Sequence, residues 1–176
     1  MRLTALITLA TLAAAAPALA QAPAAGSPRE YQLRMLEHQR KLLLAMADSM
    51  PERLYRDRVT PEQRDFAQQI HHAASAAAFI ASTTMNGPKL TLPDTAAAFK
   101  NRPELRAFVN AAYDYAATLL RDQNDAARVE TVKLFGQSMP RWQVWDEIHT
   151  HTVWTAGQVV ANFRKHGMAP PAFTFF

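Results

Sequence analysis

The chain has 176 residues, a formal net charge of +4 and no cysteine. The lack of cysteine excludes disulfides, a covalently attached haem of the CxxCH kind, a thiolate metal site and a cysteine nucleophile. The basic residues are scattered rather than striped, which argues against a nucleic-acid partner.

Arg2 precedes an almost wholly apolar run from Leu3 to Ala16, and Ala18-Leu19-Ala20 offers a small-x-small cleavage site. This is the pattern of a secretory signal peptide over residues 1–20. The run is too short for a membrane span, which needs about 20 residues. Cleavage leaves Gln21 first, with no cysteine to carry a lipid anchor. The expected product is an exported protein, periplasmic or secreted, without a membrane span. After a flexible leader over residues 21–26, residues 27–176 make one domain of roughly 150 residues, large enough to bury its own core.

Ser27-Pro28-Arg29-Glu30 is a helix start: a capping hydroxyl, proline at the first helical position and glutamate three residues on. Met35, Leu36, Leu42, Leu43 and Met46 follow at helical spacing, and Pro51 closes the segment. Thr60-Pro61-Glu62-Gln63 repeats the start signal and predicts a second helix carrying Phe66, Ile70, Ala73, Ala77 and Ile80 to the breaker Asn86-Gly87-Pro88. Residues 86–100 read as a long connection with one helical turn near 94–99, crossing between non-adjacent helices. Asn101 opens a third helix, whose Leu105, Phe108, Val109, Ala112, Tyr113, Ala116, Leu119 and Leu120 fit one apolar face. "RDQNDAA" predicts a turn, with helix resuming through "RVETVKLF" toward Gly136. Ser138 and Pro140 open the last helix, which runs to His166 and stops at Gly167 and Pro170-Pro171. No segment shows clear strand alternation. The expected fold is therefore all-α, a four-helix bundle.

A helical wheel places Val144, Ile148, His151, Thr155, Val159 and Asn162 on one face of the last helix, with Glu147 and Gln158 flanking it and His149 pointing away to solvent. Glu147, His151 and Thr155 succeed one another at i, i+4, i+8, where neighbours stand one above another. On the second helix His71 falls opposite the apolar stripe and His72 at its edge. His72, His151 and Glu147 are thus the candidate metal ligands, a nitrogen-rich set suited to zinc, nickel or iron. The competing reading is plainer: a histidine at the edge of a helix face is more often packed and hydrogen-bonded than metal-bound. His38 and His166 read as solvated helix residues, and the methionines as core.

"FAQQIHHAA" (66–74) and "WDEIHTHTVWTAGQVVANFRKHGMAPPAF" (145–173), with "DSMPERLYRDRVTPEQRDF" (48–66) between the first helices, resemble the DinB-like (DinB/YfiT-like) superfamily. The resemblance is carried most specifically by His151, Gly157-Gln158, Phe163-Arg164, Gly167 and Pro170-Pro171. It implies an up-down-down-up bundle, often a homodimer, in which complete members hold a divalent metal with three histidines. Some of these are thiol-dependent transferases or isomerases. By position the ligands fall on His72, His151 and Thr155, so the third histidine is missing. Glu147 is the local candidate to replace it.

Three readings follow. The first is an exported DinB-like protein with a degenerate or altered divalent-metal site, acting as a binding or accessory protein for an unidentified small molecule. The second is a metal-dependent enzyme of the transferase or isomerase type. A periplasm lacks the reduced thiol pool such transfer draws on. The third is a periplasmic haem- or metal-binding bundle. Trp142, Val153 and Val160 share the outer side of the last helix, a patch compatible with a dimer contact or with cover by a neighbouring helix or the "AFTFF" tail.

Overall fold

The structure is a computed structural model that describes residues 26–172 and 174. The leader and its cleavage site lie outside the described residues. Four long helices carry the core: α1 (Pro28–Ser49), α2 (Phe66–Thr84), α4 (Arg102–Asp122) and α6 (Arg141–Lys165). Two single turns, α3 (Thr95–Ala98) and α5 (Asp125–Arg128), a 3-10 turn (Glu52–Leu54) and a hairpin of β1 (Thr131–Leu134) and β2 (Gln137–Pro140) complete the described elements. Among the described residues no helix is long and apolar enough to cross a membrane.

The start of α1 follows the local code. The Ser27 side chain accepts from the Glu30 amide at 3.1 Å, and proline occupies the first turn. The start of α2 departs from it. Thr60-Pro61 forms a turn closed by Gln63 N–H donating to the Thr60 carbonyl, and the helix begins only at Phe66. Asp65 caps it: its carboxylate accepts from the Gln68 amide at 2.8 Å, while the Gln68 side chain accepts from the Asp65 amide at 3.1 Å. The delay has a tertiary cause. Tyr55 is buried, its hydroxyl donates to the Ala47 carbonyl, and the amides of Phe66 and Ala67 bond back to the carbonyls of Asp57 and Tyr55. A helix from residue 60 would break those bonds.

Side-chain pairs fix the helix directions. α1 runs parallel to α6, with Gln32 donating to the Trp142 carbonyl and Gln39 meeting His149. It runs antiparallel to α4, through Arg40–Asp114 and Arg106–Asp48. α2 runs antiparallel to α6, with Phe66 against Phe163 at one end and Arg141 Nε donating to the Thr84 carbonyl at the other. It runs parallel to α4, where His71 meets Phe108 and Met85 meets Gln123. The directions are up, down, down, up. α2 packs chiefly on α6 and α4, and α1 on α4 and α6. The 86–100 connection therefore joins neighbours, not distant helices. It is long because parallel neighbours require the chain to return along the whole of α2, about 28 Å. Tyr115 pins it by donating to the Pro88 carbonyl.

The expected helix through "RVETVKLF" is instead the hairpin, with Val132 paired to Met139 and Leu134 to Gln137. Its two-residue turn, Phe135-Gly136, has positive φ at both positions (48° and 84°), the twist that suits a tight hairpin. Leu134 is buried and Val132 packs on the core. Ser138 lies in β2, so it caps nothing; Pro140 holds the N-cap position of α6. The helix ends as expected, with Gly167 at φ 66°. Of the outer patch, Trp142 and Val153 are exposed, while Val160 packs against the core.

If Asp65 starts α2, Asp65→Ala costs about 1–2 kcal/mol of stability, the loss typical of a helix cap. Thr60→Ala stays within about 0.5 kcal/mol. Urea denaturation of both variants checks this; equal losses would contradict the observed start.

Candidate metal centre

The antiparallel seam of α2 and α6 brings two predicted residues together. The imidazoles of His72 and His151 stand with ring centroids 5.1 Å apart and planes at 73°. Two imidazoles sharing one tetrahedral ion through bonds of about 2 Å would place their centroids about 5 Å apart, so the spacing fits a shared ion. Nδ1 of His151 is buried and has no hydrogen-bond partner. One turn toward the N-terminus of α2, Gln69 Nε2 donates to Gln158 Oε1 at 3.0 Å, which ties the two helices beside the pair.

Both rings are held below the usual histidine pKa. Burial is the main cause for each. The nearby positive charge of Arg64 adds to it, and for His72 so does His151. Neutral imidazoles keep the lone pair that a metal needs.

Glu147 does not join them. Its Oε1 accepts from Gln143 Nε2 on its own helix at 3.2 Å. Among the described residues no group of three histidine, aspartate or glutamate side chains is placed to hold an ion. Thr155, where the resemblance puts a third ligand, is buried on the interior face one turn from His151.

Two other histidines lie differently from their wheel positions. His71 is half-buried, stacked on Phe108 at 4.0 Å and edge-on to Phe99 at 5.0 Å, with Nε2 3.3 Å from the Thr95 hydroxyl. The wheel registers only α2's own stripe, whereas α4 and the 86–100 connection cover its other side. Burial, reinforced by His72, lowers the His71 pKa to about 4. His149 is not solvated but half-buried, with Nδ1 3.2 Å from Gln39 Nε2. Gln39 also accepts from the Tyr113 hydroxyl, which meets the Thr152 hydroxyl at 3.2 Å. Sequence reasoning missed this interior chain, although Gln32 and Gln39 fall seven apart on the apolar face of α1. His166 is likewise tied down, with Nε2 2.7 Å from Asp57 Oδ2. Lys165 and His166 together hold the Asp57 carboxyl below its usual range.

No protein-family model matches the chain, and no curated protein matches it. Among solved structures it is similar to a DinB-like protein from Bacillus cereus, with a TM-score of 0.61 and 18% identity. The match covers 82% of this chain and 97% of that one. The chain has a DinB-like fold. In that fold the His72–His151 pair occupies the seam between the second and last long helices.

The His71 stack makes stability pH-dependent. Its folded pKa, about 4, lies below the ordinary 6.5, so the unfolded chain binds the proton more readily. The ring's contribution is full above pH 6.5 and is lost as pH falls toward 4. His71→Phe should flatten that part of the stability–pH curve. An unchanged slope between those pH values would contradict the stacked, neutral ring.

Proposed function

We propose that this is an exported DinB-like four-helix-bundle protein. In this reading His72 and His151 retain two ligands of a divalent-metal site, and the protein serves as a binding or accessory protein rather than a transferase. The observation that carries the reading is the 5.1 Å approach of two imidazoles across the α2–α6 seam, one with a buried, unpartnered Nδ1. An unbound pair of this kind leaves a buried ring nitrogen unsatisfied, an unfavourable arrangement in a folded protein. A shared ion relieves it.

The donor set suits zinc, nickel or iron, which take imidazole nitrogen readily. Such an ion, when bound, supplies positive charge and coordination positions open to an added ligand. The chain's part is to hold both rings neutral by burial and to fix their spacing through the Gln69–Gln158 bond. Thr155 stands where a third imidazole would lie, and Glu147 is engaged by Gln143, so the protein alone offers two ligands. Two ligands give weaker retention than three. Among the described residues no third histidine, aspartate or glutamate is placed with the pair to hold an ion. Both features favour binding over catalysis.

Export rests on Arg2, the apolar run to Ala16 and Ala18-Leu19-Ala20. Protein recovered from the periplasm or medium should begin at Gln21 by N-terminal sequencing; a retained Met1 would contradict it. Zinc titration by calorimetry tests the site. His72→Ala and His151→Ala should each weaken zinc by about tenfold or more, while Glu147→Gln leaves it unchanged within about twofold. Equal zinc binding by the wild type and His151→Ala would overturn the assignment.

A further inference from the structure

We propose that the cleft between the outer face of α1 and residues 171–174 takes a soluble amphipathic acid. Its apolar body lies against Leu42, Ala45 and Pro171, and its acidic group along the edge that carries Arg34 and Lys41. The proposal goes beyond the metal reading and shares no residue with it.

The cleft follows from the way α6 ends. The helix stops at Lys165, and Gly167, at φ 66°, turns the chain. Met168 donates its amide to the Phe163 carbonyl and packs against the core. Pro170-Pro171 then bar a further helix. α1 and α6 are parallel, so the chain leaves α6 beside the C-terminal end of α1. Pro171, Ala172 and Thr174 form one wall of a cleft of about 420 Å³, and α1 from Arg34 to Ala45 forms the other. That stretch of helix is about 16 Å long. The volume lies within the span of small-molecule sites, about 300–1,000 Å³.

On α1 the lining falls into two rows. His38, Leu42 and Ala45, at i, i+4 and i+7, form one; Arg34, Glu37 and Lys41, at i, i+3 and i+7, form the other. Leu42 packs on the core and Pro171 is half-buried, so the apolar floor is held in place from both walls. The second row decides the charge. Two cations against one carboxylate leave the lining net positive. Glu37 is offset by Lys41 at 3.8 Å and by Arg40 Nε at 3.5 Å. Arg34 pairs with Glu30 at 3.1 Å, and both side chains remain partly exposed. Exposed pairs one turn apart hold weakly. A guanidinium carries five N–H donors, so Arg34 has capacity for a second carboxylate. An acid on an apolar body matches both rows. A neutral apolar molecule leaves the charged edge unused, and a cation meets Arg34 and Lys41.

The test uses the metal-free mature chain and octanoate as the probe, with neutral octanamide and cationic octylammonium beside it. Calorimetric titration should show saturable, one-to-one binding of octanoate, with octanamide about fivefold or more weaker and octylammonium weaker still. Arg34→Gln combined with Lys41→Gln should weaken octanoate by about tenfold or more. Ala172→Trp, at an exposed position, should weaken it comparably by filling the cleft, with an unchanged unfolding temperature. Phe79→Ala removes an exposed aromatic on α2, away from the cleft, and should leave octanoate binding unchanged. Absence of saturable binding, equal binding of octanoate and octanamide, or wild-type affinity in Ala172→Trp or in the double variant each overturns the proposal. No metal is present in these titrations, so such a result leaves the two-histidine reading standing.

Discussion

The close approach of α2 to its neighbours is the constraint on which the rest depends. Ala67, Ala73, Ala74, Ala77, Ala78 and Ala81 are all buried on α2. Side chains this small let the backbones of α4 and α6 come near. Larger residues from those helices, Phe108, Tyr113, Trp145, Ile148 and Phe163, fill the remaining space. The antiparallel register of that seam, fixed at its ends by Phe66–Phe163 and Arg141–Thr84, sets the 5.1 Å between His72 and His151. A bulkier α2 would part the two rings without any change to either histidine.

Many polar residues in the interior are handled by pairing. Gln39, Tyr113, Thr152 and His149 bond among themselves across α1, α4 and α6. Gln32 is met by Arg128, Asp146 and the Trp142 carbonyl. Trp145 donates to Gln123. These bonds specify which helix faces which, because each leaves a buried group unsatisfied if the register slips. Among the described residues Nδ1 of His151 has no such partner, nor do Nε of Arg29 and Arg102 and Nη1 of Arg128. The His151 ring to which that Nδ1 belongs stands 5.1 Å from the His72 imidazole.

The fold class, the limits of α1 and α4 and the end of α6 were legible because caps, proline and glycine act locally: Ser27, Asn101, Pro51 and Gly167 stand where they were expected to act. The start of α2 was not, because Asp65-x-x-Gln68 and Thr60-Pro61 both carry start signals and the choice is made by Tyr55, a buried residue outside either motif. The hairpin was hidden for a different reason. Each strand has four residues, too few to show alternation, and its turn uses Phe135 where asparagine would have announced it. At the site, the wheel put His72 at the edge of its stripe and His151 within its own; both rings meet at the α2–α6 seam, where each is half-buried. It misplaced His71 and His149 because a single-helix wheel carries no information about which neighbour covers the flank. Glu147 shares the ligand face by spacing, yet an i, i+4 partner on its own helix, Gln143, takes its carboxylate.

The central claim is that one ion is shared by two imidazoles from different helices and by no carboxylate of this chain. X-ray absorption at the zinc edge of the zinc-loaded mature protein reads that directly, through the outer-shell scattering that imidazole rings give. The account predicts two imidazoles per zinc, with the remaining positions filled by light atoms from solvent or an added anion. A spectrum with no imidazole scattering, or one unchanged by His72→Ala, would contradict it.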